Sequence, residues 1–379
     1  MKAIGVRKYG GLDVFEELKD VPKPKINQKS PTDILIQVKA CSVNPIDVKV
    51  RGGVYDDYPD YYDRVESMKE SGGEKYQILG FDGAGVIEEL GNDVDQKKFK
   101  KGDEVYYLAT PFRQATNAEY VLVDQSCVAL KPKSMTFEEA AGVPLVSLTA
   151  SQCLIDRLGI QEGEECAILI INGAGGVGSA AIQICAKLLK LKVIIATASK
   201  EDTIKWCKTM GATHVVNHRE DILKQIEKLN LKVPLKYALI SHTTVEEYVK
   251  VCSRNRTPFP ALTIDDPVTS LLFQVCIECL APFGKMCSIV QGKFDLGPNT
   301  AAMAKSLTFV WGLLGTMGYF KIKTNVLQEH LELFAKLIDA KEMQSTVTKT
   351  FDFNLENLRK VHDIVEHGGT TGKMTLKMI

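Results

Sequence analysis

The stretch AILIINGAGGVG, residues 167–178, decides the fold of this chain. Its first part, Ala167–Ile171, is an apolar run with the length of a buried strand. Gly173, Gly175 and Gly178 follow with the spacing G-x-G-x-x-G, and a helical pattern starts near Val177. The spacing alone is a weak signal. A strand before it and a helix after it indicate a dinucleotide-binding turn rather than a plain glycine turn.

Each glycine has a separate purpose in such a turn. Gly173 permits the tight bend, Gly175 lets the backbone approach a pyrophosphate, and Gly178 lets the helix pack close to the strand. The helix N-terminus adds free N–H groups and a partial positive charge that attract an anion. We therefore predict cofactor contacts along the whole turn: Gly173, Ala174, Gly175, Gly176, Val177 and Gly178.

The end of the next strand bears on the choice between NAD and NADP. An acidic residue at this place usually binds the ribose 2′-hydroxyl of NAD. Here Ser199 and Lys200 come first, and both suit the 2′-phosphate of NADP. Glu201 and Asp202 fit the first turn of the following helix, where negative charge is favourable. The sequence favours NADPH as the cofactor, and a solvated surface lysine is the alternative interpretation of Lys200.

Short apolar runs alternate with amphipathic helical segments from Cys166 onward. This alternation predicts an α/β fold with a parallel sheet and helices on both faces. A last helix, Val326–Ile338, is expected to close this unit. The predicted strands are Ala167–Ile171, Lys192–Thr197, His214–Val216, Tyr237–Ile240 and Lys285–Val290.

The first 130 residues have a different pattern, with short strands such as Asp33–Ala40 between Gly, Asp and Asn turns. They predict an irregular, partly open β-barrel. The tail returns to an extended segment (Val347–Phe351), a helix (Glu356–Val365) and a strand (Lys373–Met378). A long tyrosine-rich stretch, Val54–Lys75, is either a solvated loop without a special role or a partial lid over the site.

The composition of the 379 residues is that of an ordinary globular chain, with 45% hydrophobic and 25% charged residues. The 47 basic and 47 acidic residues balance, which argues against a basic nucleic-acid-binding surface and a polybasic membrane anchor. Ten cysteines are too few for a disulfide scaffold, and the N-terminal sequence lacks a long apolar stretch. We expect no nucleic-acid partner, no transmembrane segment and a cytoplasmic location.

A series of short motifs runs in order along nearly the whole chain: VKACSVNPID (38–47), LGFDGAGV (79–86), KGDEV (101–105), AAGVP (140–144), LTA (148–150), the glycine turn, MGA (210–212), APFGK (281–285), KSL (305–307) and GKM (372–374). In this combination the chain resembles the medium-chain dehydrogenase/reductase superfamily, in particular its quinone oxidoreductases and zinc-type alcohol dehydrogenase-like proteins. The resemblance implies a GroES-like β-barrel catalytic domain, residues 1–138 and 341–379. It also implies an inserted Rossmann doubly wound parallel sheet that binds NADP, residues 139–340.

The chain departs from the zinc alcohol dehydrogenases of that family at the catalytic metal. Those enzymes place Cys where this chain has Asn44, and His-Glu where it has Phe81-Asp82. A catalytic zinc needs three Cys, His or carboxylate ligands and one open position, and Phe81 has no ligand atom. The pair Cys276-x-x-Cys279 lies on a predicted helix without a second pair, so we interpret it as core cysteines. We expect no metal site.

Without a metal, alcohol oxidation lacks a Lewis acid for the alkoxide. A quinone or an α,β-unsaturated carbonyl already has an electron sink, so hydride transfer from NADPH to such an acceptor mainly requires positioning and a polarised carbonyl. Asn44 is the leading donor to a developing enolate oxygen, although it equally suits a turn beside Pro45. Asp47 either orients Asn44 or caps the turn. By the resemblance Thr149 lies near the nicotinamide, unless it only packs a helix.

Five further residues are predicted on the cofactor side. His218 stands where quinone reductases often carry a Tyr near the adenosine phosphate, although a surface histidine is equally consistent. His242 and Thr243 follow one predicted strand and Gln291 follows the next, at the edge where parallel sheets bind ligands. Lys373 is expected to reach the 2′-phosphate, as C-terminal basic residues do in relatives.

A second hypothesis comes from a different class, a non-catalytic NADPH-binding protein with a regulatory or trafficking role. Some members of this branch resemble enzymes but act in binding. Val54–Lys75 and Val251–Pro267 would then be partner surfaces. A zinc alcohol dehydrogenase is disfavoured by the missing ligands. By the family resemblance, we expect a homodimer through edge strands near Leu307–Trp311.

Overall fold

Two compact units make up the chain, residues 1–148 with 314–379 and residues 149–313. The computed structural model describes residues 1–28, 30–53, 76–242, 267–290, 300–320, 322 and 325–378. Val54–Lys75, Thr243, Gln291 and nearly all of the segment Val251–Pro267 lie outside these ranges, so what the sequence predicts for them stays a prediction.

The first unit is built on β-strands. The strands are β1 (Ala3–Val6), β2 (Phe15–Leu18), β3 (Asp33–Ser42), β4 (Gln77–Ile78), β5 (Asp82–Leu90), β6 (Glu104–Leu108), β7 (Tyr120–Asp124), β8 (Val128–Leu130), β15 (Val347–Asp352) and β16 (Lys373–Lys377). A small sheet has the order β2-β1-β4, and a large one has the order β15-β16-β3-β5-β6-β8, with β7 also pairing β3. This unit is a GroES-like β-domain.

The tail belongs to the first unit because β16 pairs antiparallel with β3, and Thr375 lies opposite Ser42. The strand β3 lies inside the sheet because its alternate residues are apolar and face the core. Ile34, Ile36 and Val38 are fully buried in the hydrophobic core of this unit, together with Leu376 of β16. Two segments more than 300 residues apart in sequence therefore share one sheet and one core.

The second unit is a parallel sheet of the Rossmann kind. Its strands are β9 (Ala167–Ile171), β10 (Val193–Thr197), β11 (His214–Val216), β12 (Leu235–Ile240), β13 (Lys285–Ser288) and β14 (Thr308–Trp311). They lie in the order β11-β10-β9-β12-β13-β14, and all neighbouring pairs are parallel. This is the 3-2-1-4-5-6 order of a doubly wound dinucleotide-binding sheet. All five residues of β9 are buried, as a central strand covered on both faces requires.

Helices follow the strands in both units. They are α1 (Pro45–Arg51), α2 (Phe137–Ala141), α3 (Pro144–Ser151), α4 (Gly176–Gln183), α5 (Glu201–Met210), α6 (Ile222–Lys228), α7 (Pro267–Cys279), α8 (Thr300–Ala304), α9 (Thr316–Tyr319), α10 (Val326–Asp339) and α11 (Leu355–His367). One-turn π segments, Gln152–Arg157 and Ile184–Leu188, continue α3 and α4. Within the described ranges, every helix is too short or too polar to cross a lipid bilayer.

Helix α10 differs from its sequence-based assignment. It was expected to close the Rossmann unit, but the structure groups it with the β-rich unit. Its polar contacts explain this grouping. The Tyr106 hydroxyl donates to the Leu331 carbonyl oxygen at 2.5 Å, and the Gln328 amide donates to carbonyl oxygens of Gln125 and Val128. An amphipathic pattern predicts the helix and its buried face, but it does not say which sheet that face packs against.

Candidate functional site

The glycine turn lies at the carboxyl end of β9, in the centre of the parallel sheet. Asn172 has a left-handed backbone, with φ of 60°, and donates its N–H to Thr197 Oγ1 at 2.8 Å. The Gly173 N–H donates to the Thr197 carbonyl oxygen at 3.1 Å. Both bonds hold the turn against the end of β10, the strand whose tip contacts the adenosine ribose in folds of this kind.

Side chains have no room at the glycine positions of this turn. A Cβ on Gly173 would lie 2.6 Å from Ala196 Cβ, and one on Gly178 would lie 2.2 Å from the Asn172 carbonyl oxygen. Gly175 directly precedes α4, whose first N–H groups have no acceptor within the helix. The turn therefore fits a dinucleotide pyrophosphate, which needs close backbone approach and free N–H donors.

The tip of β10 leads into two polar residues, half-buried Ser199 and exposed Lys200. Lys200 precedes α5, and its N–H donates to Thr203 Oγ1 at 3.1 Å. Glu201 and Asp202 lie in the first turn of α5, as the sequence predicted. No acidic residue therefore comes between the strand tip and Lys200, whose flexible side chain is free to reach a phosphate.

Two histidines follow strands at the same carboxyl edge. His218 comes two residues after β11 and His242 two residues after β12, and both are half-buried. Ser241 carries no sequence motif that marks it, yet it donates its hydroxyl to the Ile171 carbonyl oxygen at 2.7 Å. This bond joins the end of β12 to the end of β9, so it fixes the backbone beside His242 close to the glycine turn.

A buried polar cluster occupies the first unit where β3 leads into α1. Asn44 is fully buried, and its Nδ2 donates to Asp82 Oδ1 at 2.9 Å and to Ser42 Oγ at 3.3 Å. The Ser42 hydroxyl also donates to Asp82 Oδ1, at 2.5 Å. This corrects the prediction that Asn44 donates to a substrate oxygen, because its amide hydrogens already point at Asp82 and Ser42. Ser42 ends β3, Asp82 begins the neighbouring β5 and Asn44 precedes α1, and the sequence did not reveal that β3 pairs with β5.

Lys373 belongs to this cluster. It is 5% exposed, and its ammonium donates to the Val43 carbonyl oxygen and to Asn44 Oδ1, both at 2.6 Å. The prediction that Lys373 reaches the cofactor 2′-phosphate is therefore corrected. Lys373 begins β16, and the pairing of β16 with β3 directs its ammonium into the cluster rather than to a surface.

Asp47 holds the start of α1. Its Oδ2 accepts the Asn44 N–H at 2.8 Å, and its Oδ1 accepts the Gly80 N–H at 2.9 Å. This is the arrangement in which a residue of the first helical turn reaches back to the N-cap. This bond caps the turn and at the same time holds the Asn44 backbone, so it is consistent with both roles left open for the fully buried Asp47.

Burial dominates the protonation of this cluster. It raises the pKa of Asp82 above its usual value, against the opposing charge of Lys373. It raises the pKa of Asp47 to about 7, against hydrogen bonds that favour the anion. It also lowers the pKa of Lys373, and the charges of Asp82 and Asp47 oppose that shift. The ionised carboxylates and the protonated lysine therefore stabilise one another, because burial disfavours each of these charges alone.

Thr149 lies on α3 and is 7% exposed. A buried hydroxyl on a helix is consistent both with helix packing and with a place beside a cofactor, so its predicted role stays a prediction.

The cluster does not fit a zinc ion. Both Asp82 oxygens accept hydrogen bonds, Oδ2 from the Leu145 N–H at 3.2 Å, and Asn44 Oδ1 accepts one from the Lys373 ammonium. Phe81 offers no ligand atom, and the ammonium repels a second cation. Among the described residues, no group of three or more His, Cys, Asp or Glu is arranged to hold a metal ion. On α7, Cys276 is fully buried and Cys279 is half-buried.

Three family models match the chain. The model of the alcohol dehydrogenase GroES-like domain covers residues 30–134, and two models of zinc-binding dehydrogenases cover residues 176–257 and 263–376. The first of these ranges lies within the β-rich unit described above.

Curated proteins and solved structures resemble the chain over its full length. A zinc-type alcohol dehydrogenase-like protein of Staphylococcus aureus (strain COL) is 33% identical, and the match covers 100% of both chains. The mitochondrial NAD(P)H oxidoreductase RTN4IP1 of Danio rerio is 28% identical, over 100% of this chain and 92% of that protein. A solved structure from Rhizobium etli CFN 42, provisionally described as a zinc-dependent alcohol dehydrogenase, matches with a TM-score of 0.80 and 31% identity. That match covers 100% of this chain and 98% of the other.

Proposed function

Because the chain belongs to the medium-chain dehydrogenase/reductase superfamily, we propose that it is an NADPH-dependent oxidoreductase that reduces a quinone or an α,β-unsaturated carbonyl without a metal ion. The family membership gives the oxidoreductase class, the GroES-like domain and the Rossmann-like sheet. The observation that carries the finer proposal is the buried cluster, in which the Lys373 ammonium bonds Asn44 and leaves no set of zinc ligands.

The proposed cofactor contacts are those of the second unit. The backbone of residues 173–178 receives the pyrophosphate, because the turn has no side chains in the way and ends at a helix N-terminus. Ser199 and Lys200 receive the 2′-phosphate, and His218 and His242 lie toward the adenosine and the nicotinamide ribose. The NAD(P)H in the name of the Danio rerio relative supports a nicotinamide dinucleotide as the cofactor.

NADPH, when bound, supplies a hydride from C4 of its nicotinamide. An enone gains that hydride at its β-carbon and a proton from water at its α-carbon, and a quinone gains the same hydride and proton to become a hydroquinone. The chain's contribution is to orient the two reactants so that the nicotinamide C4 lies near the acceptor carbon. Thr149 is our remaining candidate for a residue beside the reactants, because the side chains of Asn44 and Asp47 are hydrogen-bonded within the buried cluster.

The burial of Asn44 and Asp47 favours a second candidate function. A chain that binds NADPH but keeps these two predicted site residues bonded inside its first unit suits a non-catalytic NADPH-binding protein with a regulatory or trafficking role. Fluorescence titration with NADPH separates the two candidates when it is combined with turnover assays. Tight binding without turnover on any acceptor favours the second.

Transfer of deuterium tests the proposed reaction directly. The protein is incubated with NADPH deuterated at C4 and the enone 4-phenyl-3-buten-2-one, and the product is analysed by mass spectrometry and NMR. We expect deuterium at the β-carbon of a saturated ketone. Deuterium at the carbonyl carbon of an alcohol would contradict enone reduction. Absence of NADPH consumption with both enones and quinones would refute the proposed function.

We also propose a homodimer through β14. This strand ends the parallel sheet in the part of the chain that the structure describes, and Trp311 on it is 45% exposed. An apolar edge strand is protected when a second copy covers it. Light scattering after size exclusion is expected to give twice the chain mass of 41.9 kDa, and a monomer at micromolar concentration would contradict the proposal.

A further inference from the structure

Lys373 is a buried charge that the hydride transfer itself does not explain. Its ammonium has three N–H groups and no acceptor, so only an oxygen can face it. Asn44 therefore turns its Oδ1 toward Lys373, at 2.6 Å, and its Nδ2 toward Asp82, at 2.9 Å. The lysine sets which end of this amide points at the carboxylate.

The hydrogen bonds continue from Asp82 into a helix. Asp82 Oδ2 accepts the N–H of Leu145 at 3.2 Å, in the first turn of α3. Thr149 lies on the same helix, one turn further along. A continuous series of polar contacts thus leads from the ammonium through Asn44 and Asp82 to the start of the helix that carries Thr149.

The polar side chains of this cluster are shielded from water. Ser42, Asn44, Asp47 and Asp82 are 0% or nearly 0% exposed, and Lys373 is 5% exposed. Carboxylates in such surroundings need a cation or a proton, because burial disfavours the free charge. Among the described residues, Lys373 is the cation whose charge stabilises the ionised forms of both Asp82 and Asp47.

We propose that Lys373 is the resident cation of this cluster, in place of a metal ion, and that it acts as a positioning residue for hydride transfer by fixing Asn44, Asp82 and the start of α3. This inference rests on the proposed function. It assigns Lys373 no contact with the cofactor phosphate and no contact with the substrate. Lys373 acts instead through Asn44 and Asp82 on the position of α3, the helix that carries Thr149.

Lys373→Met tests the charge separately from packing, because Met retains most of the apolar stem and loses only the ammonium. The matched control is Lys377→Met on the same strand, where the lysine side chain is 59% exposed and pairs with Glu138. The readouts are kcat with NADPH and 9,10-phenanthrenequinone, the Kd for NADPH from fluorescence, and both values with added ethylammonium or tetramethylammonium.

We expect Lys373→Met to lower kcat roughly tenfold and to leave the Kd for NADPH within about threefold of the wild-type value. Ethylammonium restores part of kcat because it supplies N–H donors and a charge, whereas tetramethylammonium does not. A purely structural loss would not be rescued by one cation and not the other. Lys377→Met behaves like the wild type.

Two results overturn the inference when the wild type turns over. One is an unchanged kcat in Lys373→Met. The other is a rise in the Kd for NADPH with no change for NADH, which would place Lys373 at the 2′-phosphate. If the wild type does not turn over, the proposed function fails, and the thermal midpoint of Lys373→Met decides about the cation. Stabilisation by ethylammonium beyond that by tetramethylammonium supports the inference, and equal effects of the two ions refute it.

Discussion

His362 makes the stability of the β-rich unit sensitive to acid. It lies fully buried on α11, and its ring meets Phe15 edge-on, with centroids 4.7 Å apart and planes at 71°. In the part of the chain that the structure describes, neither ring nitrogen has a hydrogen-bond partner. Burial, with a smaller contribution from the charge of Arg51, lowers the pKa of His362 to about 3. The folded state therefore holds this histidine neutral.

The size of the effect follows from the two protonation equilibria. The unfolded chain binds a proton at His362 below its ordinary pKa of about 6.5, whereas the folded chain does not bind one until the pH approaches 3. Above pH 6.5 both states hold His362 neutral, so it does not lower the free energy of unfolding. Below pH 6.5 the unfolded state gains a proton that the folded state does not bind, and the free energy of unfolding falls. At pH 5 the loss is about 2 kcal/mol, because each pH unit below 6.5 costs about 1.4 kcal/mol.

His362→Leu removes this titration at similar volume. Urea unfolding at pH 7 and pH 5 is expected to show that the variant loses about 2 kcal/mol less stability between the two pH values than the wild type does. The matched control is His367→Gln, because His367 lies on the same helix but is exposed; its hydrogen bond to the Asp363 carbonyl oxygen raises the pKa of His367, so this variant should lose at least as much stability as the wild type. Equal pH dependence in His362→Leu and the wild type would refute the assignment.

Three further predictions concern the cofactor and the reaction. Gly178→Ala places a Cβ 2.2 Å from a backbone oxygen and should weaken NADPH binding more than about tenfold in fluorescence titration, whereas Gly315→Ala, in open space, should not. Lys200→Ala should raise the Kd for NADPH about tenfold and leave NADH unaffected, with exposed Lys205→Ala as control; equal losses for both cofactors would contradict a 2′-phosphate role. Thr149→Val should lower kcat but not the affinity for NADPH, and an unchanged kcat would mean that Thr149 only packs its helix.

The Rossmann sheet was predictable from sequence because its signals are local. The apolar run before Asn172, the three glycines and the start of the helix after them lie within about a dozen residues. Each of these signals can be interpreted from its own residues, without knowing what packs against it. The separation of Lys200 from Glu201 and Asp202 at a helix start was equally local, and the structure has both acids in the first turn of α5.

The buried cluster was not predictable because its members are distant in sequence. Lys373 reaches Asn44 across 329 residues, and only the pairing of β16 with β3 brings them together. Asn44 and Lys373, considered separately, suited a substrate donor and a phosphate ligand. In the structure the Lys373 ammonium donates to Asn44, and Asn44 donates to Asp82 and Ser42, so each side chain has partners that its own sequence context does not predict. The sequence places helix α10 in the wrong unit for a similar reason, because an apolar helix face does not indicate which sheet it packs against.

The most direct test of the central claim is turnover after metal removal. The protein is dialysed against a strong chelator, zinc content is verified by elemental analysis, and NADPH oxidation is followed at 340 nm with 9,10-phenanthrenequinone. We predict unchanged NADPH-dependent turnover in metal-depleted protein and no increase on adding zinc. Loss of turnover with the chelator and recovery with stoichiometric zinc would contradict the proposed metal-independent reductase.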